Sequence, residues 1–391
     1  MPPFDDGGLG KRIAATRKAR RLRQVDLARA AFLSIATIRA IEQGSRHPSD
    51  SALEAIAAAL GVDATRLLST FTGTERRVHA ALPRISASLA AYDVPMEPPA
   101  RSLDELREAV DEAVNWRLSA QYGALAQQAP ELLSDALATF HAAADRRDAA
   151  RLLVSVGRSV DAVAYKYGAH DLSARLIELM RWAAPHADDE LLSSTVAYVR
   201  TETFFTARAH RAGKLALEAA IDAAPPPTDP NSTAALGTLH MRAAVIAGRD
   251  QDADSAQTHL ADARRLSEAT DEGTYLGTAF GPESVLIHEL SVAVGLGHDH
   301  IDDAFRIARR WAPSDALPAE RRSGYWIELA RAQMWGGRLE DAFESLKVAR
   351  QIAPQHTREH PWARETAGTL LRVKRADEES LHHFADWIGA V

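Results

Sequence analysis

The sequence predicts an all-α protein made of a small basic module followed by a long acidic array of helices. Three observations carry that prediction. Apolar residues recur at i, i+3, i+4 and i+7 along nearly all of the 391 residues, and strict alternation is rare. The breaks are clusters of Pro and Gly, at 93–99, 224–230 and 311–318, where Pro biases the preceding residue away from helix. The charge is also unevenly spread. The net −7 divides into +4 over residues 1–70 and −11 over the remainder, with eight Lys/Arg against Asp26 alone in 9–29. Alanine, the strongest helix former, accounts for 76 residues.

Composition excludes several classes. There is no cysteine, hence no disulfide, zinc–thiolate site or Cys nucleophile. No apolar run reaches 18 residues, so no transmembrane helix and no membrane partner are expected. The acidic start of the chain lacks the apolar stretch of a secretory signal, and a cytoplasmic location is expected. The chain has no P-loop, dinucleotide fingerprint, HExxH or nucleophile elbow, so neither an enzyme nor a cofactor is expected. His298-Asp299-His300 with Asp302 and Asp303 has the composition of a metal site, but it falls in a predicted turn. His382-His383 reads as a solvated pair, and no metal is expected.

Five short helices fit the first domain, placed at 9–70. The first covers about 9–21 with Ile13 inward, and the second about 24–31. The third is capped by Ser34 and stopped at Gly44. The fourth covers about 50–60, capped by Ser49 or Asp50 and ended by Gly61, and the fifth about 63–68. A helical linker interrupted by Pro83 is expected over 71–102, and the array over 103–391.

Within the first domain stand Gln24-x-x-Leu27-Ala28, then Ser34-x-x-Thr37-Ile38-x-x-Ile41-Glu42-Gln43-Gly44, then Pro48, Leu53-x-x-Ile56-Ala57-x-Ala59-Leu60 and Leu67. This pattern resembles the helix-turn-helix of the phage-repressor (Cro/CI, XRE) family. The resemblance implies that the third helix enters the major groove of double-stranded DNA, which admits one α-helix. It turns Ile35, Ala36, Arg39 and Ala40 toward base edges. It puts Gln24, Thr37, Gln43 and Arg46 near phosphate, where contacts fix register without reading sequence, and counts Ser34, the cap of that helix, among the DNA-binding residues. It also implies an ion pair between Arg17 and Glu42. At Phe32 the chain departs from the family, which often has Gly in that turn.

In the array, Trp326-x-x-Leu329-Ala330, Gly337, Ala342-Phe343, Leu346, Ala349 and Pro354 resemble a tetratricopeptide repeat. Weaker copies at uneven spacing suggest five to seven repeats in a tetratricopeptide-like α-solenoid. The two-part plan is similar to regulators common in high-GC Gram-positive bacteria. The concave face of such a solenoid would be lined by Tyr198, Arg200 and Glu202, by His240 and Arg242, by Glu283 and His288, and by Glu328 and Arg331. The peptide-pheromone regulators of low-GC bacteria share this plan and often hold peptide backbone through Asn. Here Asn115 is the only Asn outside a predicted loop, which weakens a peptide reading. The expected function is a homodimeric, sequence-specific transcriptional regulator with a peptide or small-molecule effector. The alternative is a protein-interaction scaffold with a vestigial helix-turn-helix.

Overall fold

Four short helices order the N-terminal region: α1 (Gly7–Ala19), α2 (Gln24–Ala30), α3 (Ile35–Glu42) and α4 (Asp50–Ala59). The structure is a computed structural model that describes residues 7–62, 67, 73–95, 98–373 and 379–390. It divides into two units, Met1–Arg76 and Arg77–Val391. Ile13, Leu27, Ile38, Ile41, Ile56 and Leu60 form the core of the first. Ser34 Oγ accepts the Thr37 amide at 3.0 Å and Ser49 Oγ accepts that of Ala52 at 3.3 Å, so each caps its helix. Gly10 lets α1 lie against the end of α3, since a Cβ there would sit 2.2 Å from the Ile41 carbonyl oxygen. The fifth predicted helix lies outside the described residues apart from Leu67, which is buried in the same core.

The second unit opens with α5 (Gly73–Ala90), most of which lies in it. This helix runs unbroken through Pro83, where an interruption was expected. Val78, Ala81, Ile85 and Leu89 bury one face of it in the main core of the unit. That packing offsets the roughly 3 kcal/mol penalty of an interior proline. Helical hairpins follow. They are α6 (Leu103–Leu118) with α7 (Tyr122–Ala142), α8 (Arg147–Lys166) with α9 (His170–Ala183), and α10 (Glu190–Ala207) with α11 (His210–Asp222). Next come α12 (Pro230–Arg249) with α13 (Ala253–Ser267), α14 (Pro282–Gly295) with α15 (Ile301–Ala308), and α16 (Ala319–Trp335) with α17 (Leu339–Ile352). The one-turn α18 (Pro354–Glu359) leads into α19 (Pro361–Val373) and α20 (Glu379–Ile388).

The first helices of successive hairpins pack on one another, α6 on α8, α8 on α10, and so on to α19. They form an inner layer, and the curl brings α16 back against α6. No helix among the described residues is long and apolar enough to cross a membrane. One feature departs from the all-helical expectation: a two-stranded antiparallel hairpin, β1 (Gly273–Tyr275) and β2 (Thr278–Phe280). Phe280 anchors it against α12, where a Cβ on Gly237 would lie 2.1 Å from the ring.

In the first unit, Phe32 takes the left-handed conformation (φ +54°) that the turn between α2 and α3 requires, with its ring 95% exposed. Its backbone carries strain that no burial repays. Phe32→Gly is therefore expected to stabilise the first unit by about 1 kcal/mol. A higher urea midpoint for its unfolding transition checks this, and an unchanged or lower midpoint contradicts it.

Candidate nucleic-acid interface and interior cavity

The inner layer of the second unit lines a partly open cavity of about 200 Å³. Six cationic side chains line it, Arg117, Arg158, Lys166, Arg242, Arg249 and Arg321, against four carboxyls, Asp161, Glu202, Glu320 and Glu328. Helical periodicity delivers them. On α8 the lining positions are 158, 161, 162, 165 and 166, on α12 they are 242, 245 and 249, and on α16 they include 320, 321, 324 and 328.

Two ion pairs cross the cavity. Lys166 Nζ lies 2.8 Å from Glu320 Oε1, and Arg242 Nη2 lies 3.9 Å from Glu202 Oε1. The other four cations have no carboxylate partner among the described residues and turn to neutral acceptors. Arg158 donates to the Leu276 carbonyl (2.7 Å) and to Thr278 Oγ1 (2.5 Å), and Arg117 donates to the Gly277 carbonyl (2.8 Å), all at the tip of the β-hairpin. Arg321 donates to Tyr198 Oη at 2.5 Å, and Arg249 lies over the rings of Phe205 and Trp362.

The resulting field shows in the titrating groups. Burial, with Arg117 adding to it, pushes the Arg158 guanidinium down to about 9. Burial works against the Tyr198 phenolate, but Arg242 and Arg321 outweigh it and bring the phenol down to about 8. Burial and the adjacent Glu202 hold Asp161 well above the usual carboxylate range, and burial pushes Glu328 up to about 7. Burial also keeps His288 and His356 neutral, down to about 3.

In the first unit, α3 is held by a bidentate pair. Arg17 Nε and Nη2 reach Glu42 Oε1 and Oε2 at 2.7 and 2.9 Å, while Arg17 Nη1 donates to the Leu22 carbonyl. Gln24 Nε2 adds a bond to Glu42 Oε2 at 2.8 Å. Burial opposes the Glu42 charge, but the bonds from Arg17 and Gln24 prevail and its carboxyl is held below its ordinary value. This lattice ties α1, α2 and α3 into one body. The outer side of α3 stays open: Ser34, Ile35, Ala36, Arg39 and Gln43 are exposed, and Ala40 is half-buried. Arg39 and Arg46 are exposed and make no ion pair among the described residues. Lys18, Arg20, Arg21 and Arg23 are exposed nearby on the same unit.

Residues 9–68 match the family described as "Helix-turn-helix domain". The immunity repressor protein of Bacillus phage phi105 is 33% identical over 130 residues, which is 33% of this chain and 81% of the repressor. The chain belongs to the repressor-type helix-turn-helix family. Solved structures similar to it include Bacillus thuringiensis PlcR in complex with the peptide PapR7 and DNA, at 14% identity and a TM-score of 0.30, covering 67% of this chain and 95% of that one. The apo form of the competence regulator ComR from Streptococcus vestibularis is 12% identical, with a TM-score of 0.27 and 99% of each chain covered.

In this family member the residues expected in an effector groove separate into two groups. Tyr198, Glu202, Arg242, His288 and Glu328 line the cavity. Arg200, His240, Glu283 and Arg331 do not. Arg200 and His240 stand two residues from Tyr198/Glu202 and from Arg242, which is nearly the opposite side of a helix. Arg200 lies over Phe204, and His240 Nδ1 meets His259 Nδ1 at 3.1 Å beside α13. Glu283 accepts from the amide and hydroxyl of Ser314, fixing the loop before α16, and Arg331 pairs with Glu365 at 3.2 Å. Arg117, Arg158, Lys166, Arg249, Glu320 and Arg321 were missed. Their signal was charge recurring at helical spacing along faces that are otherwise apolar. In the first unit, Gln24 directs its amide inward to Glu42, while Thr37 Oγ1 meets the exposed Ser34 Oγ at 2.8 Å. Asn231 stands in the first turn of α12 rather than in a loop, and Asn115 lies on α6; neither lines the cavity. His298–His300 forms a 3₁₀ turn, with His300 Nδ1 3.8 Å from Asp303 Oδ2.

Replacing Glu42 with Ala leaves Arg17 buried and unpaired, which should cost the first unit about 3 kcal/mol. Because folding lowers this carboxyl's pKa, its contribution is complete above the unfolded value and is lost as pH falls through the folded one. Urea titrations from neutral to acid pH should show stability falling in the parent and a flatter acid limb in Glu42→Gln. Parallel pH profiles would contradict the assignment.

Proposed function

We propose that the chain is a sequence-specific DNA-binding transcriptional regulator that acts as a homodimer, with an effector held in the interior of its helical-hairpin unit. The observation that carries this reading is α3, an eight-residue helix braced from behind by Arg17–Glu42, with its outer face exposed and its one cation, Arg39, in no ion pair among the described residues. Major-groove recognition needs such a helix, rigidly mounted and free on one side. Arg39 is the residue able to fork onto a guanine edge, Ile35 and Ala36 offer apolar contact to thymine methyls, and Ala40 permits close approach. Arg46, Gln43 and Ser34 supply phosphate contacts that set the register. One such helix spans few base pairs. A two-fold pair of chains reading half-sites about one helical turn apart provides the length that specificity needs.

Selection of bound duplexes from a random pool, followed by titration of the enriched sequence, tests this. Arg39→Ala should cost about 1–3 kcal/mol and relax preference at one position in each half-site. Arg46→Ala should weaken all sequences alike and reduce the salt slope by about one per protomer. No enrichment, or affinity insensitive to both changes and to salt, favours the scaffold with a vestigial helix-turn-helix.

A further inference from the structure

We propose that the cavity of the second unit binds a small organic anion bearing carboxylate or phosphate oxygens, clamped by Arg117, Arg158, Arg242 and Arg321. This rests on the reading of that interior as an effector site and is independent of DNA recognition. Cations outnumber carboxyls six to four around the cavity. Only Lys166 and Arg242 have a carboxylate partner there among the described residues. The excess is buried: Arg117 is 7% exposed and Arg158 8%. Polar atoms also remain unmet: the buried Nε atoms of Arg117 and Arg242 have no hydrogen-bond partner, nor do Asp161 Oδ1, Glu202 Oε2 and Glu328 Oε2, of which burial holds Asp161 and Glu328 toward their neutral forms. A buried donor without an acceptor is destabilising, and a guanidinium without a counter-charge more so. An oxyanion seated between these side chains satisfies both deficits with charge-assisted bonds.

The geometry also bears on what kind of anion. The space is about 200 Å³, below the roughly 300–1,000 Å³ of clefts that take drug-sized ligands. It is closed on one side by the contact of α16 with α6. Its walls offer charge and hydroxyls rather than a succession of apolar pockets for side chains. A compact polyanion fits these features better than an extended peptide. The β-hairpin tip supplies the neutral acceptors that now occupy Arg117 and Arg158, through the Leu276 and Gly277 carbonyls. A carboxylate or phosphate is a stronger acceptor than an amide carbonyl, so the ligand would compete with the tip for both guanidiniums.

The experiment uses the full chain with inorganic phosphate, succinate and citrate as probes, each against NaCl at equal ionic strength. At least one should raise the melting temperature saturably. Its affinity should fall at least tenfold in Arg158→Met and Arg117→Met and stay unchanged in Arg264→Met, which alters a pair between α13 and Glu289 of α14 away from the cavity lining. Should the cavity variants fail to fold, the parent protein still provides a readout. An anion beside Tyr198 opposes the field that lowers its phenol, so the tyrosinate absorbance at about pH 8.5 should drop on titration. Three results overturn the proposal: no probe acts beyond NaCl, the arginine variants bind like the parent, or a pool of synthetic heptapeptides binds saturably where no anion does. DNA retention is scored separately without anion. Its loss beside intact anion binding sinks the regulator reading alone.

Discussion

The second unit depends on how closely its helices approach one another, and small residues set that distance. A Cβ on Gly157 would meet Met180 at 2.8 Å, one on Gly213 would meet Ile246 at 2.2 Å, and one on Gly336 would meet Phe305 at 2.8 Å. Ala330 and Ala342 are fully buried where α16 and α17 face each other, and Gly337 turns between them at φ +72°. Repeated along the chain, such contacts fix the tilt of each hairpin on the last. The accumulated tilt brings α16 against α6 and narrows an open groove into a partly enclosed space. Larger side chains at these points would splay the hairpins and open the interior to water.

Enclosure changes what the inward charges mean. On an open concave face, arginines and glutamates would be solvated, and their pairing would contribute little. Inside, they act as cross-braces between hairpins far apart in sequence. Lys166 to Glu320 joins the second hairpin to the sixth, and Arg321 to Tyr198 joins the sixth to the third. Gly123 N to Gln355 Oε1, at 2.9 Å, adds a further tie across the closure. Curvature and cavity electrostatics are thus coupled. A ligand that takes over a brace must favour one curvature over another, in proportion to its differential affinity for the two.

The legibility of the sequence followed the range of the interactions. The helix-turn-helix was readable because its signals are local or nearly so: Ser34 and Ser49 as caps, Gly44 and Gly61 as stops, and Ile38 and Ile41 on one face of a short helix. The hairpin array was readable from periodicity and from the breaks at 224–230 and 311–318. The cavity was legible only in part, because its membership depends on rotation about each helix axis. Choosing Arg200 with Tyr198, or His240 with Arg242, ignored that two residues on a helix point nearly opposite ways. The β-hairpin had almost no local signal. Gly277 in its turn and Phe280 seated on Gly237 matter through partners more than 35 residues away. Pro83 erred in the opposite direction, since a local breaker was overridden by burial of the face around it.

The cationic excess bears on why the interior is charged at all. Replacing a buried ion pair by well-packed apolar residues is often neutral or stabilising by about 1–4 kcal/mol. A chain with 76 alanines and a core of aliphatic and aromatic side chains does not lack the means to fill 200 Å³ with carbon. Structural bracing explains matched pairs such as Lys166 with Glu320, but not Arg117 and Arg158, which among the described residues meet carbonyl and hydroxyl oxygens and the Tyr198 ring but no carboxylate. On the proposed reading, an anion seated between the unmatched cations relieves their mutual repulsion, and it shifts the shape of the unit only as far as it binds one curvature more tightly than another.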